Sequence, residues 1–308
     1  MPELPEVEVV RAGLAQAVTG ARIHAVEVFD VRSLKRHNTS ITGASSPEER
    51  SADFERRLTG AALLAPMRRG KFLWVPIYGH DEVLLTHLGM SGQLLLRSLD
   101  APDDRHVRVR MWLATRQHGE LRLDFADQRL FGSLAIDSVQ PSTRSTHTGA
   151  VGMHNSIPSQ VSHIAPDPLE SAFDEANFTE RLLARHTAIK RALLDQTLVS
   201  GIGNIYADEA LWHAEVHPET LANRLSVAQI ARLIEGVREV FERALAEGGT
   251  SFDAQYVNVN GQSGYFAHSL RAYGQTGSPC QRCGTPIVRV AFMNRSSHFC
   301  PTCQRTNV

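Results

Sequence analysis

The four cysteines of this 308-residue chain place the strongest constraint on its fold. They all lie near the C-terminus with the spacing C-x2-C-x16-C-x2-C, at Cys280, Cys283, Cys300 and Cys303. Two tight pairs separated by a hairpin-sized interval suit tetrahedral coordination of one Zn²⁺ by four thiolates, and no position is left for a catalytic water. The sequence therefore predicts a structural zinc hairpin in a reducing compartment rather than a disulfide framework.

The charge of the whole chain gives little indication of a partner, because the formal net charge is −1 and the pI is about 6.9. Its distribution is more informative: from residue 248 to the end there are five arginines and no lysine against one acid. This tail is therefore locally basic. No apolar run reaches the length of a membrane span, and no basic segment followed by an apolar core opens the chain, so we expect a cytoplasmic protein.

The first eight residues, MPELPEVE, place unusual chemistry at the N-terminus. Removal of Met1 would leave Pro2 with a free secondary amine, and an α-amine titrates near about 8, so that a useful fraction is an unprotonated nucleophile at neutral pH. Glu3 is close enough to donate or accept a proton at the same centre. A helix is predicted directly behind the amine from the apolar residues Val7, Val10, Leu14 and Val18.

Apolar and polar residues alternate over several short segments of the first half of the chain, which is typical of antiparallel strands with one buried face. The predicted strands are 21–29, 72–77, 82–88, 93–97, 106–113 and 120–125. Residues 32–53 form a polar, Ser-rich connection. We predict that residues 2–137 form a two-sheet antiparallel β-sandwich flanked by the first helix.

The hydrophobic period disappears over residues 138–168, which we predict to be a domain linker. Helical periodicity follows at 173–185, 188–197, 205–215 and 227–247. Ser226 and Gln229 form a capping box at the start of the last of these helices, and Gly248 is a suitable stop. The expected fold class is α+β, with a helical domain at 169–250 and the cysteine hairpin in 251–308.

The motifs taken together carry a resemblance to a known family. The strings MPELPEVE, RRGKFL, HLGMSG, DQRLFG and GIGN, with the cysteine spacing, run from residue 2 to about residue 305. They resemble a bacterial formamidopyrimidine-DNA glycosylase. The resemblance implies a bifunctional DNA glycosylase and abasic-site lyase that removes oxidised purines through a Schiff base and β,δ-elimination. It also implies double-stranded DNA with oxidised bases or abasic sites as the partner, bound by a monomer.

The resemblance assigns the catalytic residues. Pro2 would be the nucleophile and Glu3 would transfer a proton at the sugar. Lys71, at the head of a strand, matches a lysine of the catalytic pocket that contacts the phosphate next to the lesion. Glu6 would lie beneath the flipped base, although a carboxylate in the first turn of a helix is natural without any such role.

Three further residues match side chains that fill the gap left by an extruded base. Met90 and Phe131 would wedge into the stack, and Arg129 would pair with the orphaned cytosine. A place for Phe131 in the sandwich core stays open as an alternative. The family more often has a second arginine where this chain has Leu130, which puts one backbone contact in doubt.

The remaining matches concern DNA phosphates. Residues 189–212 resemble the helix–two-turn–helix motif, in which Asn204 would hold a phosphate with Lys190 nearby, and free N–H groups at the helix start would add an anion site. Tyr273 and Arg295 match two other phosphate contacts. Residues 249–280 resemble the lesion-recognition loop, with SGYF where PGYF is commoner.

Three other functions remain open at this level. An enzyme of the endonuclease VIII type shares Pro2, Glu3, Lys71, the helix hairpin and a zinc hairpin but prefers oxidised pyrimidines; the R-x-F-G element at 129–132 and the GQSGYF loop favour purines. A zinc protein that only binds DNA structure would not require Pro2, Glu3 and Lys71. A tautomerase with an N-terminal proline base would require neither zinc nor phosphate sites.

Overall fold

A computed structural model describes residues 2–39, 46–115, 117–141, 156–250, 259 and 266–306. They form two compact units. The first contains the described residues of Met1–Pro2, Glu6–His163 and Ser251–Gly264, and the second those of Glu3–Pro5, Ile164–Thr250 and Tyr265–Val308. The helix that follows Pro2 therefore begins in one unit and continues in the other.

The first unit is built on two antiparallel sheets. Its strands are β1 (Arg22–Val28), β2 (Met67–Arg69), β3 (Phe72–Pro76), β4 (Glu82–His87), β5 (Gly92–Arg97), β6 (Val107–Thr115), β7 (Gly119–Asp127), β8 (Ser133–Pro141) and β9 (Ser156–Pro158). Among the described residues, one sheet has the order β1-β6-β7-β5 and the other β2-β3-β4-β8-β9. The predicted strands are all present, with small shifts at their ends. The strands β2, β8 and β9 were not predicted.

The core of this unit follows the alternation in the sequence. Val109, Met111 and Leu113 are fully buried, and they pack with apolar residues of helix α1 (Leu4–Val18). The opposite face of the same sheet is not simply solvated, however. Arg110 donates to Asp124 at 2.8 Å, and both side chains are buried. The alternation predicted correctly which side chains face the core. It did not predict the buried ion pair on the opposite face, because a buried charge is tolerated only when it is paired.

The polar connection predicted for residues 32–53 contains regular structure. A 3-10 turn spans Val31–Leu34, and helix α2 spans Pro47–Leu58. Ser46 and Glu49 form a reciprocal capping box at its start. The helix was missed because its composition is polar, and only a few of its side chains, such as Phe54, reach the core.

The second unit is helical, with α3 (Glu175–Leu183), α4 (Ile189–Leu193), α5 (Asn204–His213) and α6 (Val227–Ala246). The predicted helices are present, but α4 is shorter than the predicted 188–197. At the end of α4, the N–H of Leu194 donates to the carbonyls of Lys190 and Ala192. The Asp195 side chain then accepts from the N–H of Thr197. The capping box of Ser226 and Gln229 is observed as predicted.

A two-stranded hairpin follows, made of β10 (Val288–Phe292) and β11 (Arg295–Phe299). Phe292 pairs with Arg295, so Met293 and Asn294 alone form the connection. Met293 has φ 54°, a left-handed conformation that favours glycine. The hairpin lies between the two cysteine pairs, as predicted.

The linker predicted for residues 138–168 falls partly outside the described residues, at 142–155. On either side, β8 extends to Pro141 and β9 begins at Ser156. The domain boundaries drawn from the sequence stay predictions. None of the helices in the described part of the chain has the length and apolar character needed to cross a membrane.

Candidate functional site

The second residue of the predicted catalytic pair is held by the N-terminus of α5. The Glu3 carboxylate accepts hydrogen bonds from the N–H of Gly203 and, at 3.0 Å, from the N–H of Ile205. A β-carbon at Gly203 would collide with this carboxylate, so only glycine permits the approach. Glu3 and Pro2 are both buried. The chain end that carries the predicted nucleophile is therefore joined directly to a fixed carboxylate.

This contact corrects one expectation. The free N–H groups at the start of α5 were predicted to form an anion site for DNA phosphate. In the structure the protein's own Glu3 carboxylate takes that place, with the favourable electrostatics of a helix N-terminus. The amides of Gly203 and Ile205 are therefore already occupied by a carboxylate of the protein itself.

Lys190, which is predicted to bind DNA, is held by several protein groups. Its side chain is fully buried, and Nζ lies 2.6 Å from Asp208 Oδ1. The same ammonium donates to the carbonyl of Ser296 at 2.8 Å and to the hydroxyl of Ser297 at 3.0 Å. Burial lowers the pKa of Lys190, while Asp208 opposes that shift. These partners fix Lys190 beneath the hairpin, and the DNA contact that the sequence predicts for it stays a prediction.

Asn204 reaches the same point of the hairpin. Its Nδ2 donates to the Ser296 carbonyl at 3.1 Å, so two side chains hold one carbonyl oxygen. Asp208 adds a third connection, accepting from the backbone N–H of His298 at 2.9 Å. These contacts fix the strand on which Arg295 stands, with its own side chain exposed.

Tyr273 is placed by a buried acid that sequence reasoning missed. Glu209, on α5, accepts from the backbone N–H groups of Arg271, Ala272 and Tyr273 at 2.9, 2.8 and 2.8 Å. Burial raises the pKa of Glu209, and these three amide donors oppose the shift. Burial also raises the pKa of Tyr273, whose side chain lies beside Asn204. The second unit therefore brings Glu3, Lys190, Asn204, Tyr273 and the strand of Arg295 into one network.

In the first unit, Met90 and Phe131 are exposed, at 42% and 49% of their surface. The alternative that Phe131 is sandwich core is therefore wrong. Gly89 has φ 64°, and a β-carbon there would collide with the Phe131 backbone, so the two loops pack closely. Large apolar side chains held at exposed loop tips are typical of a binding surface.

Asp127 organises these loops. It accepts from the hydroxyl of Ser91 at 2.5 Å, from the Arg129 N–H at 3.1 Å and from the Gly132 N–H at 2.7 Å. Buried at the end of β7, it ties the Met90 loop to the Phe131 loop. Sequence reasoning missed it, although an acid two residues before the R-x-F-G element was the available signal.

Arg129 is exposed, and its guanidinium lies 5.2 Å from the centre of the Phe131 ring. The next residue, Leu130, has φ 56°, which is unusual for a residue with a branched side chain. Lys35 donates to its carbonyl at 2.9 Å. Leu130, where the family more often has arginine, thus sits in a strained turn that presents its two neighbours outward.

Lys71 precedes β3 and is buried, with 9% of its surface exposed, rather than solvated like an ordinary strand-end lysine. It belongs to a group of cations. Burial first, and then the charges of Arg36, Lys71 and Lys35, lower the pKa of His87 to about 4. His87 Nδ1 accepts from the Gly89 N–H at 3.2 Å, as a neutral imidazole does. Lys71 therefore stands in a positively charged region beside the Met90 loop.

Glu6 lies in the first turn of α1 and is buried, with 3% of its surface exposed. The structure places it in the first unit with Pro2 and Lys71. Most of the predicted lesion-recognition loop, including residues 261–265 of GQSGYF, lies outside the described residues. Its last residue, Phe266, is fully buried in the core of the second unit.

The four cysteines form one candidate metal site. Their Sγ atoms all lie within 4.8 Å of one another, and the Cys283 and Cys300 sulfur atoms are 3.5 Å apart. Tetrahedral ligation with Zn–S bonds of about 2.3 Å would put sulfur atoms about 3.8 Å apart, so this donor set fits Zn²⁺. Arg282, between the first two cysteines, donates to the carbonyls of Trp212 and His213 at 2.7 and 2.9 Å. The turn from Cys280 to Cys283, here called the knuckle, is thereby attached to the C-terminal end of α5, where a cation is favourable.

Three family models match the chain. The formamidopyrimidine-DNA glycosylase N-terminal domain matches residues 1–134, and the H2TH domain of the same family matches residues 164–255. A zinc finger found in FPG and IleRS matches residues 277–306. That segment contains all four cysteines, so the predicted site for one structural zinc ion is confirmed.

The chain is also similar over its full length to individual proteins. The formamidopyrimidine-DNA glycosylase of Leifsonia xyli subsp. xyli is 55% identical over 306 residues, covering 99% of this chain and 100% of the relative. That of Thermobifida fusca is 51% identical over 308 residues, covering 99% and 97%. The predicted α+β fold is confirmed by these family matches together with the two antiparallel sheets and the helical unit.

Solved structures give the same result. Lactococcus lactis Fpg in complex with an abasic site containing DNA superposes with a TM-score of 0.79 at 33% identity, covering 99% of this chain and 100% of that one. The same protein with a Fapy-dG containing DNA also gives a TM-score of 0.79 at 33% identity, with the same coverage. The wild-type Lactococcus protein has further been crystallised with an oxidised pyrimidine containing DNA.

The environment of His87 predicts an acid-sensitive fold. Because its pKa is lowered in the folded state, the unfolded chain takes up the proton first, so stability is present above about pH 6.5 and is lost as the pH falls toward 4. We expect His87→Gln to flatten the fall in unfolding free energy between pH 7 and pH 4.5, measured by urea denaturation. His24→Gln, at an exposed histidine, is the control and should follow the wild type. A His87→Gln curve parallel to the wild type would contradict this assignment.

The zinc site predicts a local dependence on metal. We expect Cys300→Ser to lose zinc and the order of the β10–β11 hairpin, and therefore to bind duplex DNA more weakly, while the sheets of the first unit stay folded. Zinc content, circular dichroism and DNA affinity are the measurements. Gln281→Ala, at an exposed position within the same knuckle, should keep both zinc and affinity. Full affinity in zinc-free protein would show that the hairpin does not depend on metal.

Proposed function

We propose, because this chain belongs to the formamidopyrimidine-DNA glycosylase family, that it is a bifunctional DNA glycosylase and abasic-site lyase of base excision repair. Its substrates are double-stranded DNA with oxidised purines, such as 8-oxoguanine and formamidopyrimidines, and DNA with abasic sites. The endonuclease VIII alternative is not favoured, since the relatives are named for the purine-lesion activity. The protein acts as a monomer, and it is cytoplasmic and associated with the nucleoid through DNA.

The observation that carries this proposal is the attachment of Glu3 to α5. A nucleophilic N-terminal amine requires a chain end of fixed position, whereas an ordinary terminus frays. The amides of Gly203 and Ile205 fix the carboxylate one residue after Pro2. The amine then reaches the reacting sugar from a defined direction, as proximity catalysis requires.

The reaction starts once Met1 is removed. The Pro2 lone pair attacks C1′ of the damaged nucleotide, and the base leaves with the electron pair of the glycosidic bond. Loss of the amine proton and protonation of the sugar ring oxygen open the ring and give an iminium at C1′. Glu3, a carboxylate that accepts from backbone donors, moves the proton at the sugar.

The iminium then withdraws electrons from the sugar. Loss of a C2′ proton expels the 3′ phosphate, and a second elimination expels the 5′ phosphate, which completes strand cleavage. Lys71, in its cationic region, holds the phosphate next to the lesion. Glu6 lies beneath the flipped base.

The second unit supplies further phosphate contacts. Asn204, Tyr273 and Arg295 each hold a DNA phosphate, and hydrogen bonds to charged groups of this kind are stronger than neutral ones. Lys190 acts near these phosphates, and it keeps the Ser296 carbonyl, and with it the strand of Arg295, in place. The zinc ion holds the base of the same hairpin.

Met90, Arg129 and Phe131 replace the extruded nucleotide. Extrusion costs roughly a few kcal/mol of stacking and pairing, which apolar wedges help to offset. Met90 and Phe131 are exposed at packed loops, as wedges should be, and Arg129 stands next to the Phe131 ring. Arg129 pairs with the cytosine that remains opposite the lesion.

The assignment of Pro2 predicts a covalent adduct. Borohydride reduction on duplex DNA with one 8-oxoguanine should trap the enzyme through Pro2, located by mass spectrometry of the cross-linked peptide. Enzyme that retains Met1, and Pro2→Gly, should release no base and cut no strand; in the former the proline nitrogen is part of a peptide bond. The same trapping is carried out in parallel on duplexes with an oxidised pyrimidine as the second substrate. Undiminished nicking by enzyme shown to retain Met1 would refute the nucleophile.

The wedge residues predict a difference between two substrates. Phe131→Ala and Met90→Ala should slow excision of 8-oxoguanine much more than cleavage at a pre-formed abasic site, because the latter has less stacking to disrupt. Single-turnover rates on both duplexes are the measurement. Tyr78→Ala removes another exposed aromatic side chain of the first unit and should change neither rate. An equal loss on both substrates with a lowered melting temperature would instead indicate a structural role.

A further inference from the structure

We infer that Arg191 and Arg295 together hold one sugar–phosphate segment of duplex DNA, in a cavity between the end of α4 and the tip of the β10–β11 hairpin. The inference rests on the proposed function, since it adds a second guanidinium to the phosphate contact of Arg295. No role for Arg191 follows from its place in the helix–two-turn–helix string.

The cavity has a volume of about 330 Å³. This is at the low end of the range of ligand sites, which runs from about 300 to 1,000 Å³, and it suits a sugar–phosphate unit rather than a large cofactor. Arg191 and Leu194 line one side, and Phe292, Met293 and Arg295 line the other. The two arginines are thus far apart in sequence but border one space.

Both guanidinium groups are available to a ligand. Arg191 and Arg295 are exposed, and neither guanidinium group makes a hydrogen bond or an ion pair within the part of the chain that the structure describes. Two arginines with no internal partner at one cavity concentrate positive charge there. A guanidinium fork matches the geometry of a phosphodiester.

One acid also lines the cavity, and its charge is already compensated. Asp195 lies 2.6 Å from the Arg185 guanidinium and accepts from the N–H and the hydroxyl of Thr197 at 2.9 and 2.7 Å. The carboxylate therefore does not cancel the charge of Arg191 and Arg295. The cavity favours an anion.

The apolar part of the lining indicates that the anion is attached to a sugar. Met293 is exposed over 65% of its surface and stands at φ 54°, where glycine would be unstrained. A methionine at this tip puts an apolar side chain at the rim of the cavity, next to the two charges. Deoxyribose with its phosphate presents the same combination of an apolar face and an anion.

The test is the affinity of zinc-loaded protein for an undamaged duplex and for the same duplex with a tetrahydrofuran abasic analogue, over a range of salt. We expect Arg191→Ala to bind both duplexes roughly tenfold more weakly, with a salt slope shallower by about one. Arg191→Lys should keep the slope but recover only part of the affinity, because the fork is lost. Arg232→Ala, at an exposed arginine of α6 outside the cavity, is the matched control and should resemble the wild type.

A double variant tests whether the site is shared. The affinity loss of Arg191→Ala with Arg295→Ala should differ from the sum of the two single losses, as for residues that hold one group. Strict additivity, or an Arg191→Ala protein that binds like Arg232→Ala, would overturn the inference. Thermal stabilisation of the wild type by inorganic phosphate alone, without any DNA effect of Arg191→Ala, would assign the cavity to free phosphate and overturn it too. Binding to undamaged DNA needs no catalysis, so a wild type that forms no borohydride adduct would refute the proposed function and leave this test intact.

Discussion

The carboxylate of Glu3 at the N-terminus of α5 is the interaction on which the candidate chemistry depends. Two backbone amides and the start of a helix hold one buried carboxylate, and Gly203 leaves the space for it. The interaction is favourable because unpaired N–H groups at a helix start attract an anion. It converts a chain terminus, ordinarily the least ordered part of a protein, into a fixed position for the proposed nucleophile.

The helix that binds Glu3 also positions the predicted phosphate contacts. Asp208 and Glu209 are consecutive on α5, and each is buried with hydrogen-bond donors. Asp208 binds the hairpin that carries Arg295, and Glu209 binds the segment that carries Tyr273. Buried carboxylates are costly unless every one is paired, so a change at either acid would disturb more than one contact. The predicted catalytic and DNA-binding residues of this unit therefore share one scaffold.

In the first unit the same principle operates through Asp127. Its carboxylate accepts hydrogen bonds from the Ser91 hydroxyl and from the amides of Arg129 and Gly132 at the point where the Met90 and Phe131 loops meet. Leu130 adopts a left-handed conformation between Arg129 and Phe131. The loops therefore expose large side chains without being loose, because buried hydrogen bonds fix their bases.

The sequence by itself determined the family, the strands and helices with strong periodicity, and the zinc ligands, since alternation, capping boxes and cysteine spacing are local signals. It did not reveal helix α2, whose composition is polar, or the buried state of Lys190. Burial of Lys190 depends on Asp208 and on the Ser296 carbonyl, which is 106 residues away along the chain. Likewise the sequence did not reveal that the N-terminus of α5 binds the Glu3 carboxylate. The Gly203 amide that donates to it lies 200 positions further along the chain. Partners of this kind are chosen by tertiary packing, because the cost of burying a charge is settled only by the group that the fold places beside it.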